Sequence, residues 1–171
     1  MSVPMISIIA GHADCGKTTI IEGILSVLDR RGFKVAVIKH GRHLSLPTGN
    51  KDTNRHNRAG AQVSLLITPE GWLAQGFPEQ EPSLEQMSAF LEAYDKWDII
   101  LVEGYKRGYQ DKIEISIDPQ AELFLPPKEA VAYIIKDFDE KKRQLIGNKP
   151  VFSPDDVESI ADFICSYYHL T

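Results

Sequence analysis

The residues that could do chemistry begin with one uninterrupted block near the start of the chain. The block reads GHADCGKT, and its spacing, G-x-x-x-x-G-K-[ST], is typical of loops that cradle phosphates with backbone N–H groups. The lysine places a cation on the β- and γ-phosphates, and the hydroxyl that follows it coordinates Mg²⁺. The pattern therefore predicts a nucleoside triphosphate site. The predicted phosphate-binding residues are Gly11, His12, Ala13, Asp14, Cys15, Gly16, Lys17 and Thr18.

Two residues inside this block are unusual for a phosphate loop. The carboxylate of Asp14 would repel a triphosphate unless its side chain points away. Cys15 is either an activated thiol or a small residue that a tight turn tolerates.

Charged residues at the ends of two predicted strands extend the site. Glu103 ends the apolar strand 98–103, where a carboxylate beside a phosphate loop is well placed for Mg²⁺. Asp98 opens the same strand, so it is expected at the opposite sheet edge in a structural role. Lys39 ends the second predicted strand of the chain, either to stabilise charge on the γ-phosphate or as an ordinary strand-end lysine. Lys17 and Lys39 are thus the candidate catalytic residues.

A basic segment stands out in an acidic chain. Residues 30–58 hold eight Lys or Arg and one acid, Asp52, a charge of +7; the net charge of −5 leaves −12 for the remainder. This favours local capture of an anionic ligand over nucleic-acid coating, although a solvated basic face is the alternative. Asp52 is either a second Mg²⁺ ligand or a charge partner of its neighbours. His40, His43 and His56 in the same region could bind a transition metal.

Composition and periodicity predict one domain, 1–171, with an α/β fold. The chain is 43% hydrophobic and has two cysteines, and no apolar run is long enough for a membrane span, so we expect a cytoplasmic protein. Strands alternating with helices predict a three-layer, mostly parallel sheet, with Lys112–Ile117 as a half-exposed, possibly antiparallel edge strand. Helices are predicted at 17–31, 53–60, 83–95 and from Ser153, and the other strands at 5–10, 33–38, 62–68, 72–77, 98–103 and 130–135.

Several blocks in order resemble the MobB family, the GTP-binding accessory proteins of molybdopterin-guanine dinucleotide biosynthesis. They are VIKHGRH at 37–43, KDTNRH at 51–56, RAGA at 58–61, DIILVEGYK at 98–106 and KIE at 112–114. Together with the phosphate loop they cover residues 5 to about 117.

The resemblance implies a P-loop NTPase-like fold, a homodimer, and binding of GTP with Mg²⁺ beside the MobA-type guanylyltransferase that joins GMP to molybdopterin. It also implies that hydrolysis is weak, so the chain would be a weak GTPase at most. Thr19 would join the phosphate-binding residues, and Thr18, Asp52 and Glu103 would surround Mg²⁺. Lys39, Arg55 and Arg58 would reach phosphate or the anionic pterin, whether molybdopterin or its guanine dinucleotide, and Lys106 and Lys112 would lie on a binding face.

One expected guanine signature is absent, because the chain has no clean N-K-x-D motif. Asp137 follows a predicted strand and could accept hydrogen bonds from guanine, or it could be a surface acid. Two alternatives therefore stay open. One is a small-molecule kinase or ATP-dependent ligase of the same fold, and the other is a nickel metallochaperone GTPase that uses the three histidines.

Overall fold

The computed structural model describes residues 2–12, 15–41, 51–118 and 122–171. Within these ranges lie eight strands and five α-helices. The strands are β1 Met5–Ala10, β2 Val35–Lys39, β3 Val63–Thr68, β4 Gly71–Gly76, β5 Ile99–Glu103, β6 Asp111–Ser116, β7 Ala132–Ile135 and β8 Val151–Phe152. The helices are α1 Lys17–Arg30, α2 Lys51–Arg58, α3 Leu84–Tyr94, α4 Glu140–Ile146 and α5 Val157–Tyr168.

Six strands form one sheet in the order β2-β5-β1-β6-β7-β8, and every neighbouring pair is parallel. β1 is flanked by β5 and β6, which pair with both of its edges. Apolar cores cover both of its faces. The short apolar run MISIIA is accordingly buried at all six positions. Because β1 is central, the loop that leaves it opens at the middle of the sheet's carboxyl edge.

The sheet has an apolar core on each face. Alternate β1 residues, Ile6, Ile8 and Ala10, pack with α1 and α5 on one side, whereas Ile9 packs with α4 and the segment 123–130 on the other. This arrangement confirms the three-layer α/β fold. The apolar stripes of α1 and α5 are buried as their 3.6-residue period predicts.

Two local predictions were wrong. The segment 112–117 is not a half-exposed or antiparallel edge strand: β6 lies inside the sheet between β1 and β7, parallel to both, and is buried at five of its six positions. The antiparallel strands are instead β3 and β4, which form a separate two-stranded sheet.

The cap of the last helix also differs from the prediction, which began this helix at Ser153. Asp156 caps α5, because its carboxylate accepts a hydrogen bond from the Ser159 amide at 3.1 Å.

The chain divides into two compact units. The first holds residues 1–41 and 88–171, which include the six-stranded sheet, and the second holds residues 42–87, which include α2 and the β3–β4 hairpin. Ser83 and Gln86 form a capping box at the start of α3: the Ser83 amide donates to Gln86 Oε1 at 2.8 Å, and the Gln86 amide donates to Ser83 Oγ at 3.2 Å. Among the described residues no helix is long and apolar enough to cross a bilayer.

Candidate nucleotide site at the carboxyl edge of the parallel sheet

The predicted phosphate loop connects β1 to α1. Gly16 precedes the helix with φ of 74°, a conformation that glycine adopts without strain, and a Cβ there would lie 3.0 Å from Ile117 Cδ1. The first N–H groups of α1 therefore point toward the space outside β1, where an anion is favoured. Thr19 lies exposed in this first turn. The predictions at Ala13 and Asp14 fall outside the described residues.

Lys17 is held against the loop that it follows. Its ammonium group donates to the His12 carbonyl at 3.2 Å and contacts Cys15 Sγ at 3.3 Å. Cys15 is buried, and its thiol donates to the same carbonyl at 3.4 Å. An ammonium group has three protons, so Lys17 can hold the loop and a phosphate oxygen together.

Three residues that the sequence singled out meet at the adjoining strand ends. Thr18 Oγ1 donates to Glu103 Oε1 at 2.9 Å, and Lys39 Nζ lies 3.1 Å from the same oxygen. The register explains this cluster, because Glu103 on β5 is opposite both Ile8 of β1 and Lys39 of β2. Glu103 is 8% exposed, so its charge faces the cluster and little solvent.

The cluster fits a magnesium ion. Mg²⁺ prefers oxygen ligands and usually binds through one or two protein oxygens together with phosphate and water. Thr18 and Glu103 supply a hydroxyl and a carboxylate that already touch, beside the phosphate loop. Asp98 lies at the other end of this strand, where its carboxylate accepts from the Lys34 amide at 2.7 Å, in line with the structural role expected for it.

A tight turn after β5 brings a further lysine to the loop. Gly104 and Tyr105 have φ of 87° and 60°, and a Cβ on Gly104 would lie 3.5 Å from the His40 carbonyl. Beyond the turn, Lys106 Nζ donates to the Gly11 carbonyl at 2.8 Å and lies 4.3 Å from the centroid of the Phe124 ring. Lys106 thus contacts the phosphate loop, in line with the expectation that it lies on a binding face.

Lys112 behaves differently from Lys106. It is 6% exposed, and its ammonium donates to the carbonyls of Gly108 at 2.7 Å and Gln110 at 3.1 Å. The structure therefore does not place Lys112 on an open binding face. Its ammonium ties down the turn that leads into β6, which is a structural role.

Glu114 is a buried residue that the sequence reasoning missed. It lies 1% exposed in β6, and its carboxylate accepts from the backbone amides of Phe124 and Leu125, the latter at 2.9 Å. Burial raises the pKa of Glu114, while these two amides and Lys106 act in the opposite direction. Burial together with the Glu114 charge raises the pKa of Tyr133 to about 12. The signal was an acid in a strand where polar residues alternate with isoleucines, and that alternation predicted a solvent face.

Asp137 lies exposed, two residues beyond the end of β7 and so at the same sheet edge as the loop. Its backbone carbonyl accepts from Lys142 Nζ at 3.1 Å. A guanine contact by its carboxylate stays a prediction.

The second unit holds the remaining predicted residues on α2. Asp52, Arg55, His56 and Arg58 border a cavity of about 490 Å³ together with Ala59. Asp52 lies 3.8 Å from Arg55, and both side chains are more than three-quarters exposed, so this ion pair is weak. Asp52 thus has a nearby charge partner, and its part in a Mg²⁺ site stays a prediction.

The histidine alternative receives no support. His43 lies outside the described residues. Across the described ranges no group of three His, Cys, Asp or Glu side chains is placed to hold a metal ion.

Comparison with known proteins agrees with this geometry. Residues 5–137 match the family model of the molybdopterin guanine dinucleotide synthesis protein B, MobB. The chain belongs to the MobB family. Two relatives, both called molybdopterin-guanine dinucleotide biosynthesis adapter protein, come from Haemophilus influenzae and Escherichia coli. The first is 26% identical over 98% of this chain and 90% of the relative, and the second is 26% identical over 96% and 93%.

Solved structures of MobB have the same fold. The crystal structure of Bacillus subtilis MobB gives a TM-score of 0.71 at 22% identity, with 95% of this chain and 96% of that one covered. A second structure, that of a molybdopterin-guanine biosynthesis protein B, gives a TM-score of 0.67 at 23% identity, with 96% of this chain and 99% of that one covered. The MobB match spans the phosphate loop, Lys39, Glu103 and Lys106, so the whole cluster lies within the family's common region.

Proposed function

We propose that this chain is a GTP-binding accessory protein of molybdopterin-guanine dinucleotide biosynthesis that works beside a MobA-type guanylyltransferase. The observation that carries the proposal is the contact of Thr18 and Lys39 with Glu103 beside a phosphate loop in a MobB chain. The relatives that span nearly all of the chain are named adapter proteins of this biosynthesis, which supports the biological setting. The kinase, ligase and nickel alternatives have no comparable support.

In the proposed site the phosphate loop and the start of α1 bind the triphosphate. Lys17 neutralises charge on the β- and γ-phosphates. Lys39 contacts Glu103 at the edge of the same site, so its ammonium group can also neutralise charge on the γ-phosphate. Thr18 and Glu103 would hold Mg²⁺, which shields phosphate charge when it is bound. Hydrolysis is proposed to be slow, so that GTP binding and not turnover is the main task.

The proposal includes a homodimer. Val63, Leu65 and Ile67 alternate along β3 and are 61%, 58% and 78% exposed, with Trp72 opposite Ile67 on β4. This apolar face, named here the outer hairpin face, exposes several large apolar side chains next to one another, which is typical of surfaces that partners cover. A second copy of the chain is the proposed occupant.

The proposal also places the protein in the cytoplasm. Cys15 and Cys165 are both free thiols, which suits a reducing compartment.

Calorimetric titration tests the nucleotide site. With Mg²⁺ present we expect GTP to bind at least about tenfold more tightly than ATP, and Lys17→Ala to weaken GTP binding by about tenfold to a hundredfold, the value of one or two charge-assisted hydrogen bonds. Lys141→Ala, on the exposed side of α4, is the matched control and should change nothing. Equal affinity for ATP and GTP, or unchanged binding in Lys17→Ala, would contradict the proposal.

The magnesium assignment has its own test. Glu103→Gln should remove most of the gain in GTP affinity that Mg²⁺ produces, whereas Asp98→Asn, at the other end of β5, should keep it. The same gain in both variants would show that the ion is held elsewhere.

A further inference from the structure

The second unit has polar side chains in the place where an apolar core would be expected. Asn54 and Asn57 lie on α2, and Ser64 and Gln75 are opposite each other on β3 and β4. Gln75 is 6% exposed, and its Nε2 donates to Asn54 Oδ1 at 3.3 Å. This contact joins the helix to the hairpin and fixes which end of the Gln75 amide faces away from α2.

Most of these polar atoms have no partner. Asn57 Oδ1 and Nδ2, Ser64 Oγ and Gln75 Oε1 are buried without a hydrogen bond among the described residues. Buried polar atoms in native proteins are nearly always paired, so four that lack a partner among the described residues are available to a bound ligand.

A cavity of about 420 Å³ lies beside these atoms. Its lining includes Asn54, Asn57, Arg58, Gln62, Gln75 and Phe77. The volume suits a small ligand. Phe77 is 45% exposed, which leaves its ring available for stacking against a flat heterocycle.

We propose that this cavity binds a 2-amino-4-oxopyrimidine ring, the part that pterins and guanine share. One edge of that ring presents two N–H donors and one carbonyl acceptor. Asn57 and Gln75 offer the complement, two acceptors in Oδ1 and Oε1 and one donor in Nδ2. Asn57 and Gln75 both line the cavity.

Arg58 extends the site toward a phosphate. It borders both this cavity and the neighbouring one of about 490 Å³, where Arg55 and His56 add positive charge. A guanidinium pairs with phosphate through two parallel hydrogen bonds. The ligand class is therefore a 2-amino-4-oxopyrimidine that carries a phosphate on a short arm. This inference rests on the proposed function, whose pathway supplies both a pterin and a guanine nucleotide.

The first experiment compares ligands on the Lys17→Ala chain, in which the phosphate loop is disabled and the cavity is unaltered. The probes are 6-hydroxymethylpterin and GMP, with 2,4-diamino-6-hydroxymethylpteridine and AMP as analogues that lack the 2-amino-4-oxo edge. Pterin fluorescence and calorimetry report binding. We expect the pterin or GMP to bind at least about tenfold more tightly than its analogue, the value of one correctly paired hydrogen bond.

The probe that binds identifies the source of the ring. Binding of 6-hydroxymethylpterin alone assigns the cavity to the pterin, and binding of GMP alone assigns it to the guanine nucleotide. No binding of either probe, or equal binding of the analogues, would overturn the inference, and neither result depends on a cavity variant folding correctly.

Variants then locate the site. Asn57→Leu and Gln75→Leu should each weaken binding about tenfold, whereas Gln80→Leu, an exposed amide of the same unit, should not. Arg58→Ala should weaken GMP but spare 6-hydroxymethylpterin, which has no phosphate. Unchanged affinity in both leucine variants would overturn the assignment. A failure here leaves Mg²⁺-dependent GTP binding intact, so it is distinguishable from a failure of the proposed function.

Discussion

The two compact units of this chain bury opposite kinds of residue. In the first, the six-stranded sheet is packed on both faces by apolar side chains. Its buried charges have partners: Glu114 accepts hydrogen bonds from two backbone amides, and Lys112 donates hydrogen bonds to two backbone carbonyls. In the second, the hairpin exposes Val63, Leu65 and Ile67. Buried polar atoms of Asn57, Ser64 and Gln75 lack a partner there among the described residues. The first unit pairs these buried charges and leaves three buried polar atoms, on Gln110, Ser116 and Tyr133, without a partner among the described residues. The second unit is about a third as long and leaves four.

This difference separates stability from recognition. Buried apolar area and paired charges hold the sheet in place, so the loop, Thr18 and Glu103 are positioned before any ligand arrives. The second unit has little interior of its own. Its outer hairpin face suits a second copy, and its cavity suits a polar ring. Four predictions test this difference between the two units.

The largest effect should come from truncating an isoleucine in each unit. Ile113 is fully buried in β6, and Ile113→Ala should cost about 2–5 kcal/mol of unfolding free energy through lost contacts and a residual cavity. Ile67 is 78% exposed, and Ile67→Ala in the monomer should cost no more than about 0.5 kcal/mol. Urea denaturation at low protein concentration measures both. Comparable losses at the two positions would show that the hairpin is part of the common core.

A charge on the outer hairpin face should act on assembly and not on folding. Ile67→Asp places a carboxylate in the proposed dimer contact, so we expect self-association to weaken by about a hundredfold with unchanged thermal unfolding of the monomer. Sedimentation at several concentrations measures it. Glu70→Asp, in the exposed turn of the same hairpin, is the control. Wild-type association in Ile67→Asp would place the dimer contact elsewhere.

The buried carboxyl of the first unit should make stability depend on pH. Because burial raises the pKa of Glu114 above its usual 4.5, the folded chain keeps a proton that the unfolded chain has lost. Stability therefore falls as pH rises from about 4.5 through the folded pKa, and Glu114→Gln removes this fall. Wild type should therefore lose stability relative to Glu114→Gln as pH rises across this window.

Urea midpoints from pH 4 to 8 check this expectation. Exposed Glu129→Gln serves as the control, and its difference from wild type should stay flat. A constant difference between Glu114→Gln and wild type would show that the carboxyl has the same pKa folded and unfolded.

Sequence reasoning succeeded where one strong local rule acted. The loop spacing, the strand ending at Glu103 and the apolar stripe of α5 each predicted their place in the structure, because periodicity and chain direction decide them. The place of Lys39 at the sheet edge of the phosphate loop also followed, since parallel strands end at a common edge, but its contact with Glu103 was not predicted.

It failed where tertiary contacts override the local pattern. Lys112 and Glu114 alternate with isoleucines and predict a solvent face, yet backbone groups distant from their own strand satisfy both charges and allow burial. The cap at Asp156 was missed since Ser153 and Asp156 are both good capping residues, and only the structure distinguishes them. The amide-lined cavity gave no signal at all, because it depends on how α2 packs on the hairpin.

The smallest effect should come from Lys106. Its ammonium holds the Gly11 carbonyl at 2.8 Å and covers the Phe124 ring, so it orients the first residue of the phosphate loop from outside. A partly exposed lysine that contacts one carbonyl contributes modestly, and Lys106→Ala should lower GTP affinity by about threefold to tenfold. Lys106→Arg should recover part of the loss, because it restores the donor and the charge. If Lys106→Ala matched Lys17→Ala in its effect, the lysine would contact phosphate directly; if it matched Lys141→Ala, the loop would hold its shape without it.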